Sequence, residues 1–222
     1  MTAREEHIAV TKTARLYLLG EPGAAHDVWI ACHGYGQLAR RFIRSFASIA
    51  APGRLIVAPE GLHRFYLDPP PAAAAQRRVG ATWMTREDRE SDIRDYVAYL
   101  DRVLERVVGA STTARIRAFG FSQGCATALR WAVMGATRVD ELILWAGEVP
   151  PDADLQPAAE RLHQTRITMV IGKHDLLAPA GMRRQIERLE AMGLSAQLLE
   201  FDGGHEIDPA CLAKLLPIAG RR

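Results

Sequence analysis

The stretch that decides the fold runs from Arg115 to Met134: RIRAF, then Gly120-Phe121-Ser122-Gln123-Gly124, then CATALRWAVM. A short apolar run passes through G-x-S-x-G into an apolar helical stretch, so a strand turns tightly into a helix. Such a turn strains the backbone of its central residue, and side chains at the flanking positions would collide with neighbouring elements, hence the glycines. It lifts the serine oxygen above the end of a sheet, at the positive end of a helix. The bare pattern arises by chance in roughly one chain in ten of this length. The strand before it and the helix after it favour Ser122 as a candidate nucleophile over an ordinary glycine-rich turn.

Working outward, β-branched apolar runs predict further strands at 28–32 (VWIAC), 54–58 (RLIVA), 141–145 (ELILW), 166–171 (RITMVI) and 195–201 (SAQLLEF), with an edge strand at 14–19. Helical spacing links Phe42, Ile43, Phe46, Ile49 and Ala50, then Ile93, Val97, Leu100, Leu104 and Val107, then Met182, Ile186 and Leu189, with Gly193 placed to end the last helix. Thr85 with Asp88 suggests a capping box for the long middle helix, and Asp208-Pro209 an N-cap and first turn for a final one. Alternating strands and helices predict an α/β fold, with a mostly parallel central sheet and helices on both faces. One domain over residues 1–222 is expected. Residues 147–165 are too few for a cap domain, and the stretch DPPPAAAAQ from Asp68 to Gln76 offers no packing face and reads as a surface excursion.

In such sheets chemistry gathers at the carboxyl ends of the strands. A serine hydroxyl needs a base. His205, in Phe201-Asp202-Gly203-Gly204-His205, follows the last predicted strand on a glycine loop free to reach a neighbouring turn. The base needs an acid to set its tautomer. Asp175 follows RITMVI through Gly172-Lys173-His174 and precedes Ala178-Pro179, where a helix is expected to begin; Asp202, three residues from His205, is the alternative acid. Negative charge developing on a carbonyl oxygen needs backbone donors. His33-Gly34-Tyr35-Gly36 follows VWIAC, so Tyr35 is expected to supply one amide and Gln123 the other, with the His33 imidazole holding the loop. Tyr35, Phe65, Tyr66 and Trp83 are candidates to line an open, loop-shaped pocket. Activity of this kind needs neutral His205 and falls on acidification.

Composition narrows the alternatives. The 28 basic and 26 acidic residues leave a net charge of +2, which calls for neither nucleic acid nor an anionic membrane. Arg40-Arg41, Arg77-Arg78 and Arg183-Arg184 read as solvated surface pairs. Cys32, Cys125 and Cys211 form no disulfide framework and no metal-ligand spacing, and Cys125 is expected to pack rather than react. The first residues, MTAREEHIAV, do not read as a signal peptide, and no apolar run approaches a membrane span. A cytoplasmic protein is the expectation.

Four separated motifs agree, and the chain resembles the phospholipase/carboxylesterase branch of the α/β-hydrolases, which includes the acyl-protein thioesterases. His33-Gly34-Tyr35-Gly36 is similar to the family's oxyanion loop, Gly120 to Gly124 to its elbow, Gly172-Lys173-His174-Asp175 to its acid loop and Gly203-Gly204-His205 to its base loop. The resemblance runs from about Val28 onward. It implies hydrolysis of carboxylic esters or thioesters through an acyl-enzyme on Ser122, with no cofactor and no metal. Three features depart from the family. Trp83-Met84-Thr85 stands where Trp-Phe-Asp is usual, Gln37 replaces an acidic residue, and the stretch from His63 to Gly80 is distinctive. All three bear on substrate more than on chemistry. Small-molecule and acylated-protein substrates stay open, as does the oligomeric state.

Other readings compete. Gly34, Gly36 and Ala39 form G-x-G-x-x-A after a strand, with Glu60 ending the next strand, as in a dinucleotide site. That reading leaves the elbow and the base loop unexplained. The same triad acting on a peptide or carbon–carbon bond, or an inactive fold serving as a binding module, are the remaining alternatives.

Overall fold

A computed structural model describes residues 2–69, 77–109, 112–150, 156–177, 181–191 and 193–216. In chain order the elements are β1 (Leu16–Leu19), β2 (Asp27–Cys32), α1 (Ala39–Phe42), β3 (Arg54–Pro59), β4 (His63–Tyr66), β5 (Val79–Thr82), α2 (Arg89–Val108), β6 (Arg115–Phe121), α3 (Gln123–Met134), β7 (Glu141–Trp145), α4 (Gln156–Leu162), β8 (Arg166–Gly172), α5 (Met182–Glu190), β9 (Ala196–Phe201) and α6 (Pro209–Lys214). Seven strands form one sheet in the order β1-β3-β2-β6-β7-β8-β9, parallel except for the antiparallel edge strand β1.

β2 shows why both faces are covered. All six of its residues are buried. Val28, Ile30 and Cys32 enter one core with α2 and α3, while Trp29 and Ala31 enter a second with Phe42, Phe46 and Leu212. This two-residue period divides one strand between two apolar layers, each large side chain contributing about 1.5–3 kcal/mol. The expected stripe Ile93, Val97, Leu100, Leu104 and Val107 is buried along α2.

β3 lies on one side of β2 and β6 on the other, so strand order reverses at β2. Loops leaving the carboxyl ends of β2 and β6 therefore diverge and open a crevice. Cys32 pairs in register with Gly120, which sets the His33 loop beside the elbow. At the opposite end, Arg117 bridges Asp27 and Glu141, and Arg54 Nε donates to Asp27 at 2.7 Å, tying four strands together.

Two local expectations are corrected. The 42–50 segment is not one α-helix: after α1 it tightens into a 3₁₀ helix over Ile43–Ile49. Phe46 and Ile49 stay buried, because residues three apart share a face at three residues per turn as well. No Thr85–Asp88 capping box forms either. Asp88 stands before α2 with φ 45° and caps nothing, and Thr85 N–H donates instead to Asp92 at 3.2 Å. Outside the expected strands, β4 and β5 form an antiparallel hairpin with Tyr66 opposite Val79 and His63 opposite Thr82. Residues 70–76 of the expected excursion, and Ala178-Pro179, lie outside the described residues.

Candidate active site

Ser122 joins β6 to α3 with φ 54° and ψ −118°. L-residues rarely adopt this conformation, and it persists only where the surroundings impose it. Ser122 N–H donates to Trp145 O at 2.8 Å, so the adjacent strand end holds the turn. Gly124 is required by contact: a Cβ there would lie 2.1 Å from the Cys32 carbonyl oxygen, and one at Gly120 would lie 2.3 Å from Gly124 O. The bare backbone lets the elbow press onto the end of β2. Cys125 is buried beneath it, its thiol directed at Gly120 O and Trp145 O at 3.1 and 3.3 Å. Burial pushes that thiol's pKa up, so it stays protonated and inert.

The oxyanion-loop candidate is clamped from inside. Gly61 N–H donates to His33 Nε2 at 2.9 Å, which leaves the proton on Nδ1 to donate to Gly34 O at 2.8 Å. Burial pushes this imidazole below its ordinary pKa, outweighing the Gly34 oxygen and the Glu60 charge, so the ring is neutral. Gly34 C=O and Tyr35 N–H share one planar peptide and point opposite ways. Holding the carbonyl against His33 therefore turns the Tyr35 amide outward. Gln37 accepts from Gly34 N–H at 2.9 Å, Gly36 N–H donates to Ala81 O at 2.8 Å, and Ala81 N–H returns to Gln37 O at 3.2 Å. The β4–β5 hairpin thus braces the loop from outside. Neither the Tyr35 nor the Gln123 amide has an acceptor among the described residues.

Asp175 and His205 come from the loops after the neighbouring strands β8 and β9. His205 Nδ1 lies 2.8 Å from Asp175 Oδ2, and the carboxylate side chain has no exposure. Its Oδ1 accepts from Leu177 N–H at 2.9 Å. The base loop folds back over β7, where Trp145 Nε1 donates to Glu206 O at 2.7 Å. The His205 ring comes to rest on Phe121, centroids 4.9 Å apart, immediately before Ser122. Among the described residues no hydrogen bond joins Ser122 to His205. The alternative acid, Asp202, is exposed and faces the exposed His174 at 2.9 Å instead.

Two clefts flank the elbow among the described residues. One, of about 700 Å³, is bounded by His205, Phe121, Gly36, Arg41, Leu67 and Arg77. The other, of about 600 Å³, is bounded by Ser122, Gln123, Met84, Arg86, Gly147 and Leu177. Of the pocket candidates, Tyr35 is exposed and stacks on Phe65 at 5.1 Å, while Tyr66 carries the Arg77 guanidinium 3.9 Å above its ring. Trp83 is corrected: at 1% exposure it is core, packed 5.0 Å from His33 with its indole N–H on His33 O. Sequence reasoning missed the Gln123 side chain. It donates to Met84 O at 3.1 Å and accepts from Trp83 N–H at 3.3 Å, clamping this segment over α3. The one available signal was Gln after the serine in a family-like elbow.

Glu60, the acid a dinucleotide ribose would need, is 3% exposed and accepts from Arg15 Nε at 2.9 Å. Among the described residues no cluster of three His, Cys, Asp or Glu is placed to hold a metal ion, and no helix is long and apolar enough to cross a membrane.

A family model described as Phospholipase/Carboxylesterase matches residues 21–217. Among curated protein sequences none matches the chain. Among solved structures, acyl-protein thioesterase 2 of Zea mays superposes with a TM-score of 0.72 at 17% identity, covering 91% of this chain and 96% of that one. A carboxylesterase from Mesorhizobium loti gives 0.67 at 18% identity, covering 90% and 92%. Esterase PE8 gives 0.63 at 21% identity, covering 92% and 100%. At these identities the likeness is one of fold: the central sheet and its helices are those of the α/β-hydrolases.

Proposed function

The chain belongs to the phospholipase/carboxylesterase family of α/β-hydrolases, and from that premise we propose that it cleaves carboxylic esters or thioesters through an acyl-enzyme on Ser122. It is a hydrolase of the carboxylesterase type. In our reading His205 takes the Ser122 proton as the hydroxyl attacks the acyl carbonyl, and the Tyr35 and Gln123 amides receive the negative charge on oxygen. His205 then protonates the departing alcohol or thiol. Water repeats the cycle on the acyl-enzyme, releasing the acid and restoring the serine. Asp175 stays ionised and holds the ring with Nε2 toward the elbow. The serine hydroxyl turns toward Nε2 when substrate is bound.

The observation that carries the reading is the 2.8 Å contact between His205 and the buried Asp175, set beside a serine in a strained strand-to-helix turn. The test is turnover of p-nitrophenyl esters and acyl thioesters by wild type and Ser122→Ala, with fluorophosphonate labelling of both. Labelling and turnover abolished together by the substitution support the reading. Turnover that survives it assigns the chemistry to another group.

A further inference from the structure

Arg77 and Arg78, a solvated pair by sequence, have separate fates in the fold. Arg78 Nη2 meets Asp68 Oδ1 at 2.8 Å, so its charge is matched. Arg77 sits over the Tyr66 ring, its Cζ 3.9 Å from the centroid, and donates through Nε and Nη2 to the Asp68 carbonyl at 3.1 and 3.0 Å. The Asp68 carboxylate acts on the Arg77 charge as well as on Arg78, so one carboxylate stands against two guanidinium groups and a positive surplus is left. Arg77 Nη1 has no acceptor among the described residues, and the side chain bounds the cleft that His205 also bounds. Arg41 enters the same cleft from α1. Glu206 is the one acidic residue among the described lining, and its Oε1 faces Gly204 N–H at 3.4 Å. An ordered, positively charged fork on an aromatic platform is suited to a carboxylate or phosphate.

The side of the nucleophile on which this cleft lies says which part of the substrate enters it. The group that protonates the departing atom is His205, so the leaving group occupies the His205 cleft. We propose that this cleft selects esters or thioesters whose leaving alcohol or thiol carries a carboxylate or phosphate, with Arg77 as its anchor and Arg41 as a second contact. This rests on the acyl-transfer reading above. In turnover the anionic alcohol or thiol leaves with the proton from His205, and the acyl group stays on Ser122 until water releases it.

The test compares kcat/KM at low salt for para-acetoxybenzoate and para-acetoxyphenyl phosphate against neutral para-acetoxybenzamide. The second cleft bears Arg86 and Arg89 with Glu148, so a contrasting pair carries its anion on the acyl side: mono-p-nitrophenyl succinate against p-nitrophenyl butyrate. The expected result is a preference of about tenfold or more for an anionic leaving group, falling as salt rises. The preference shrinks in Arg77→Gln and Arg41→Gln and persists in Arg106→Gln, an exposed arginine on α2. The larger of the carboxylate and phosphate ratios names the group. Parity between charged and neutral leaving groups, a preference that appears only for the acyl-side anion, or one that survives both substitutions overturns the proposal. Turnover of all these esters unchanged by Ser122→Ala overturns instead the acyl-enzyme reading on which it stands.

Discussion

The indole N–H of Trp83 donates to the backbone oxygen of His33 at 2.8 Å, so a buried tryptophan ties the end of β2 to the segment that Gln123 clamps over α3. Loop and elbow meet at this one residue, the loop through its indole and Gln123 through its backbone N–H. Trp83→Phe removes the hydrogen bond and leaves a small void. A loss of about 1–3 kcal/mol in unfolding free energy is expected. Turnover falls by a similar factor for short and long acyl chains, measured on a p-nitrophenyl ester series. A changed chain-length profile would instead put Trp83 against the substrate.

Asp175 and Asp202 compete for His205 in sequence, and the two substitutions separate them. Asp175→Asn removes the buried carboxylate that fixes the ring and is expected to lower kcat by about a thousandfold or more. Asp202→Asn breaks only an exposed pair with His174, of about 1 kcal/mol at most, and leaves kcat near wild type. Steady-state rates of both variants on one ester decide the matter. Equal losses would mean that the acid has been misassigned.

At φ 54° and ψ −118° Ser122 stores backbone strain for the sake of its position. Ser122→Gly and Ser122→Ala both lack the hydroxyl and are expected to be inactive. Only glycine relieves the strain, so Ser122→Gly is the more stable of the two by about 1 kcal/mol. Urea unfolding of the pair measures this, and a glycine variant no more stable than the alanine one would show the turn to be unstrained.

His33 sets a pH dependence of stability. Burial holds its folded pKa below the ordinary imidazole value, so the unfolded chain takes up the proton first as pH falls. Its contribution is fully present above about pH 6.5 and is lost as pH drops from there toward the folded value, at up to about 1.4 kcal/mol per pH unit. Unfolding free energies at about pH 7.5 and about pH 5.5 should therefore differ less in His33→Gln than in wild type. An identical difference in both proteins would show that His33 is not the group being titrated.

Much of the protein was legible in its sequence. ELILW at 141–145 coincides with β7, and RLIVA and RITMVI fall within β3 and β8, because strands buried on both faces must be apolar throughout. The elbow was legible because backbone strain and close approach demand glycine at fixed positions. Asp208 at the start of α6 was legible because capping is local: its carboxylate accepts from Cys211 N–H at 2.6 Å. These are requirements that a residue and its near neighbours satisfy between themselves.

What the tertiary structure alone decided depends on partners distant in the chain. The His63–Tyr66 and Val79–Thr82 strands are short and largely exposed at β4, and neither carries a periodic apolar signal. They exist because they pair with each other and because Ala81 bonds Gly36 and Gln37 in the loop after β2. Trp83 looks like a pocket aromatic until His33, fifty residues earlier, takes its N–H. His205 meets Asp175 and not Asp202 because β8 and β9 are neighbours, with Gly172 paired to Phe201, so the loop after β9 crosses the loop after β8 and leaves Asp202 facing solvent. Arg77 becomes a cleft residue only through Tyr66 and the Asp68 carbonyl. Sequence patterns report burial and turn geometry, which act over a few residues. The meeting of side chains across the sheet is set by strand order, which no local pattern contains.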